Sequence, residues 1–205
     1  MQITLMRHGK PVVAPGRWLA PCDMGGWIAQ YDQAEVHTAA IPADSVRAAG
    51  AAAIVFTSTL PRAQSSARAL GHTAPHVDAL FCEAPLPFPL WRFPRLPPVL
   101  WAALFRLAWL CGYARGADTL ALVNMRARAA SAQLIACAAD GPVLLIGHGV
   151  MNRLIARALR AAGWTAISGH RSEYWGTSSY QQAGIRRSGA PLVRPAGTGS
   201  GTAST

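Results

Sequence analysis

What this chain can fold into is set by three short apolar runs, each released into polar chemistry. Ile3-Thr4-Leu5-Met6 leads into Arg7-His8-Gly9-Lys10, and Ala53-Ile54-Val55-Phe56 into Thr57-Ser58-Thr59-Leu60-Pro61-Arg62-Ala63. Val143-Leu144-Leu145-Ile146 leads into Gly147-His148-Gly149. Continuous apolar runs of about four to eight residues fit strands buried on both faces of a parallel sheet. Residues 60–70 and 150–162, which follow the second and third runs, have helical spacing and stop at Gly71 and Gly163. Pro61 is tolerated because it falls in a first helical turn, where its missing N–H is not needed. Strand, loop, helix and stop make a βα unit, and in open sheets of such units ligands bind beyond the carboxyl ends of the strands. Arg7, His8, Arg62 and His148 are therefore expected along one rim. There an Arg offers a planar fork of donors for phosphate or carboxylate, and a His offers a ring nitrogen as base, nucleophile or metal ligand.

The remaining elements follow from spacing and breakers. Residues 24–31 have helical spacing, and 46–49 read as a short helix capped by Asp44 or Ser45 and stopped by Gly50. Residues 76–81 suit a short third strand that ends at Cys82 and Glu83. The stretch 84–98 carries Pro85, Pro87, Pro89, Pro94, Pro97 and Pro98, and no regular helix survives that density of proline. Residues 99–113 are strongly apolar, with Trp101, Leu104, Phe105, Ala108 and Trp109 spaced at three and four. A helix over 119–139 and a last strand over 173–181, at a sheet edge, complete the domain. From residue 184 onward Gly, Ser, Thr, Pro and Ala dominate, and the tail is expected to be disordered. The layout is thus one domain over 1–183, an insert over about 84–118, and a tail over 184–205.

Taken together, Leu5-Met6-Arg7-His8-Gly9, Ser58-Thr59-Leu60-Pro61-Arg62-Ala63, Glu83 and Gly147-His148-Gly149 resemble the histidine phosphatase superfamily, the phosphoglycerate-mutase-like proteins, over most of residues 1–180. The resemblance implies a three-layer α/β/α fold with a mostly parallel central sheet, here with an inserted apolar helical cap. It also implies metal-independent phosphomonoester hydrolysis through a phosphohistidine. His8 would be the nucleophile and Arg7 and Arg62 would bind the phosphoryl oxygens. His148 would hold the phosphoryl group and stabilise its transition state, and Glu83 would be the general acid. Ser58 or Thr59 can add a hydroxyl donor or cap the helix. Glu83 can instead pair with Arg92 or Arg95.

The sequence departs from the mutase pattern after Gly9, where it reads Lys10-Pro11-Val12-Val13. This weakens a phosphotransferase reading, which stands as the alternative enzyme; a phosphate-binding protein with little catalysis is the alternative of another class. On the substrate side, Lys10 and Arg17 either bind further negative charge or are solvated loop residues. Trp101, Trp91, Phe105 and Trp109 are available to pack an apolar part of a substrate. Residues 96–113 are read as core, as a cap, or as an apolar surface for a homodimer or interfacial contact.

Composition narrows the partners. The net charge is +10, and Lys10 is the only lysine among 19 Lys plus Arg, a balance that favours anionic ligands. Phosphorylated metabolites, nucleic acid and acidic lipid all fit that charge, but the arginines are scattered without a basic stripe or interleaved exposed aromatics, which argues against nucleic acid; a phosphorylated small molecule or phosphoprotein is the partner that the resemblance implies. No cofactor is called for. Two histidines without a third ligand, set beside Arg7 and Arg62, argue against a metal site. Cys22, Cys82, Cys111 and Cys137 form no close pair and read as free thiols of a cytoplasmic protein. No signal-peptide pattern opens the chain. The apolar run at 96–113 is too short for a transmembrane span and is interrupted by Arg106.

Overall fold

The computed structural model describes residues 1–13, 17–169 and 171–182; the tail expected to be disordered lies outside them. Six strands form one sheet: β1 (Gln2–Arg7), β2 (Ile54–Thr57), β3 (His76–Val77), β4 (Val143–Gly147), β5 (Trp164–Ala166) and β6 (Thr177–Gln182). Their order is β3-β2-β4-β1-β6-β5. Strands β3, β2, β4 and β1 run parallel, while β6 and β5 are antiparallel additions. Pairing Arg7 with Gly147 in the β1–β4 register sets His8 beside His148.

Successive side chains of a strand point to opposite faces, so each apolar run feeds two cores. Ile3, Leu5, Val143 and Leu145 pack against α5 (Leu120–Cys137) and α6 (Gly149–Ala161) through Val123, Ala127, Leu134, Met151, Ile155 and Leu159. Met6, Val55, Leu144 and Ile146 face Ala49 of α2 (Ala43–Gly50) and Ala67 of α3 (Pro61–Ala69). Helices therefore cover both faces, as a mostly parallel sheet requires. A third, smaller cluster joins Met24 of α1 (Met24–Gln33) to Trp101 and Phe105 of α4 (Pro98–Leu110).

Several boundaries depart from the sequence reading. Only His76 and Val77 pair as β3, and residues 79–81 form a 3-10 turn capped by Asp78, whose side chain accepts the Leu80 N–H. The last strand, β6, is not at the edge: it lies between β1 and the three-residue β5, which the sequence reading had not placed. Helix α2 begins at Ala43 with Pro42 as its N-cap residue, so neither Asp44 nor Ser45 caps it. Instead the Ser45 hydroxyl donates to the Trp175 carbonyl. Trp101 and Trp109 are core residues. Their indole N–H groups donate to the carbonyls of Leu19 and Asp118, and both rings are almost fully buried. The other sides of α4 leave Val99, Leu100, Leu104, Leu107 and Leu110 exposed. No helix among the described residues is long and apolar enough to cross a membrane.

Candidate active site

His8 leaves the end of β1 with its backbone N–H donating to the Gly147 carbonyl, so the two histidine loops are stitched to each other at the rim. The two imidazole centroids are 5.1 Å apart. His8 is 2% exposed and His148 is fully buried. His8 Nδ1 lies 2.7 Å from the Gly9 carbonyl oxygen. A carbonyl can only accept, so Nδ1 carries the proton and Nε2 keeps its lone pair.

Ser58 holds the ring of His148. The Ser58 hydroxyl accepts the Leu60 N–H at 3.2 Å and lies 2.7 Å from His148 Nε2. The hydroxyl can give or take the proton at Nε2, and His148 Nδ1 is buried without a protein partner. Ser58 thus contacts His148, and it is not the cap of α3, whose N-cap residue is Leu60 without a side-chain cap bond.

Two arginines bracket the pair. Arg7 donates from Nη1 to the Ser172 carbonyl at 2.7 Å, and its guanidinium lies 4.2 Å over the Tyr174 ring. Arg62, at the start of α3 and 2% exposed, donates to Asp32 Oδ1 at 2.7 Å and lies over the Tyr31 ring. The Nε atoms of both are buried with no protein partner. The Tyr31 and Tyr174 hydroxyls are 3.3 Å apart, and the Tyr174 ring packs against His8.

Glu83 closes the other side. Its carboxylate accepts N–H bonds from Val150 and Met151 in the first turn of α6, and from Ala84. No ion pair with Arg92 or Arg95 forms. The proline-rich chain around it is held by Arg126, which donates to the Cys82 and Glu83 carbonyls, and by Arg106, which donates to those of Ala84 and Pro85.

The rim glycines have separate causes. A Cβ on Gly9 would stand 2.3 Å from the Trp175 ring, and one on Gly147 would stand 2.4 Å from Asn152 Oδ1. Gly149 has room, but a side chain there would project between Arg7 and Glu83. Trp175, the one non-glycine residue at positive φ among those described, donates its backbone N–H back to the Arg7 carbonyl. Ser66 ties the loop to α3, accepting the Gly9 N–H and donating to the Arg62 carbonyl. Asn152 ties β1 to α6 through the Met6 carbonyl.

Arg7, Arg62, Glu83, Lys10, Tyr31, Asp32 and Tyr174 share a cavity of 670 Å³. Arg17 is exposed and does not line it, and Trp101 lies behind its wall. Sequence reasoning missed Tyr31, Asp32, Tyr174, Arg126, Ser66 and Asn152. Among the described residues no three His, Cys, Asp or Glu side chains stand together as a metal would need.

Burial, then the charge of Arg62, holds His8 down to about 3 from its ordinary 6.5, against the hydrogen bond to Gly9, which raises it. His148 is pushed well below its ordinary value, first by burial and then by Arg62. Both rings are neutral at neutral pH. Between the two His8 values the unfolded chain binds more protons than the folded one, so this part of the stability is full above 6.5 and is lost as pH falls through the window. The urea midpoint should therefore drop between about pH 7 and pH 5 less steeply in His8→Asn than in wild type. Equal slopes would show that His8 burial does not contribute.

No family model matches the chain, and the curated proteins include no match. Solved structures do match. The product of open reading frame Rv3214 of Mycobacterium tuberculosis superposes with a TM-score of 0.55 at 18% identity, covering 87% of this chain and 89% of that one. A protein called mycobacterial hydrolase 1 gives 0.54 at 20%, covering 87% of each chain. Mycobacterial glucosyl-3-phosphoglycerate phosphatase Rv2419c, complexed with VO3, gives 0.54 at 21%, covering 87% and 91%. With β1, β2 and β4 delivering Arg7, His8, Arg62 and His148 to one rim, the chain has the fold of the histidine phosphatases.

Proposed function

We propose that this protein is a metal-independent phosphomonoester phosphatase working through a phosphohistidine at His8. The observation that carries the reading is the state of His8: a neutral imidazole with Nδ1–H given to Gly9 and Nε2 free, beside two arginines with unpartnered buried Nε donors. Arg7 and Arg62 bind the phosphoryl oxygens, and His148 Nδ1–H donates to the same group. These fixed donors match the charge spread over the equatorial oxygens in the transition state.

His8 Nε2 attacks phosphorus and the bond to the alcohol oxygen breaks. The leaving oxygen takes its proton from the Glu83 carboxyl, and the carboxylate so formed keeps its backbone N–H donors at the start of α6. A water then attacks the phosphohistidine, giving one proton to Glu83 as the nitrogen–phosphorus bond breaks, and inorganic phosphate leaves. Rv2419c, named a phosphatase and solved with VO3, supports hydrolysis as the outcome on this fold.

Phosphate release measured over a series of phosphomonoesters, with a chelator present throughout, tests the reading. Wild-type rates should not change with chelator. Glu83→Gln should slow alkyl esters by about 10²- to 10⁴-fold and 4-nitrophenyl phosphate far less, since an activated leaving group needs little protonation. Activity that requires added metal, or equal slowing across the series, would overturn the mechanism.

A further inference from the structure

The cavity that Arg7, Arg62 and Glu83 share, which neither His8 nor His148 lines, has a mostly apolar wall. Its wall is built by Trp27 and Ile28 of α1, Leu60, Leu86, and Val99 and Ala102 of α4. The polar groups that reach it make bonds within the protein that take up part of their capacity. The Arg106 guanidinium donates to the Ala84 and Pro85 carbonyls, Asp32 Oδ1 accepts from Arg62, and Glu83 accepts three backbone N–H groups. The Tyr31 and Tyr174 hydroxyls lie within reach of each other. Lys10, exposed at the cavity, adds a further positive charge.

A sugar or nucleotide entering this space would lay much of its polar surface against an apolar wall and lose water there without replacement, which is costly. An apolar group would lose only water that is better released. At 670 Å³ the cavity also far exceeds a phosphate ion and falls in the range that encloses a drug-sized ligand. Val99, although in the wall, is 73% exposed, so the apolar surface runs out to solvent and a longer tail can continue over it.

Resting on the phosphatase reading above, we propose that the substrate is the phosphomonoester of a bulky apolar alcohol, with one anionic head at Arg7 and Arg62 and a hydrocarbon body against α1 and α4. The segment around α4 then selects substrate through Val99 and Ala102, not through Trp101 or Trp109, which are core.

Two series test this. In the first, kcat/KM for n-alkyl phosphates from ethyl to octyl should rise about two- to fourfold per methylene, with glucose 6-phosphate and AMP below the octyl ester. In the second, n-alkylphosphonates, which cannot be hydrolysed, should bind with a Kd that falls along the same series. The second is read by calorimetry and does not depend on turnover. If no ester releases phosphate but octylphosphonate binds much more tightly than methylphosphonate, the catalytic reading fails and the ligand class stands. Phosphonate affinity independent of chain length, or sugar phosphates preferred over alkyl esters, overturns the proposal. Ala102→Asp should flatten both series, as should Val99→Asp, whose exposed position spares the fold. An unchanged slope in a folded Val99→Asp protein would likewise overturn it.

Discussion

Replacing His8 with alanine should lower phosphate release on the order of 10⁴-fold or more, because it removes the proposed nucleophile, on which the reaction would be divided into two steps. Binding should survive better than turnover. Arg7 and Arg62 are held by Ser172, Asp32 and the two tyrosine rings, not by His8. Wild-type enzyme mixed with radiolabelled ester and quenched in alkali should carry label on His8 alone. His148→Ala should still become labelled, though slowly, since it loses a donor to the phosphoryl group and not the nucleophile. Label on another residue, or wild-type turnover by His8→Ala, would remove His8 from the mechanism. Neutrality matters here: His8 is held to about 3, so the nitrogen needs no deprotonation before attack at neutral pH.

The residues in that experiment were legible in the sequence because each stands at the end of a strand, and strand ends are marked locally by apolar runs broken by glycine or a helix start. The partners that tune them were not. Tyr174 and Ser172 reach Arg7 across more than a hundred and sixty residues, from a loop whose course depends on β6 pairing with β1. Asp32 reaches Arg62 from the end of α1. Such contacts leave no periodicity to read. Helix α4 shows a second limit: it is apolar on nearly every side, so its pattern cannot say which side is buried. The structure buries Trp101, Phe105 and Trp109, turns Val99, Ala102 and Arg106 to the cavity, and leaves Leu100, Leu104 and Leu107 to solvent. The aromatic residues, which by size looked suited to a substrate, were the ones the core claimed, since large rings bury the most area. Strand β5 leaves no sequence signal because three residues after a glycine stop carry too little pattern, and without it the edge position falls to β6.

Arg62→Met should cut kcat/KM by about 10²- to 10³-fold, the usual cost of losing one preorganised donor to a developing charge. A second effect separates this residue from a merely structural arginine. Its charge is the next largest cause, after burial, of the low His8 value. Without it His8 should take up its proton at higher pH, and the ring signals of His8 in a nuclear magnetic resonance titration should move toward its ordinary 6.5. The fold should tolerate the change, because Asp32, left without its partner, has a side chain 36% exposed and can be hydrated. Arg62→Lys distinguishes charge from shape. A lysine restores the positive charge, so His8 should stay low. Its point-like ammonium cannot hold Asp32 and present a planar fork to phosphate at once, so turnover should remain impaired. If Arg62→Met binds inorganic phosphate and turns over as wild type does, the anion is held elsewhere, and the site built around His8, Arg62 and His148 is not where the chemistry occurs.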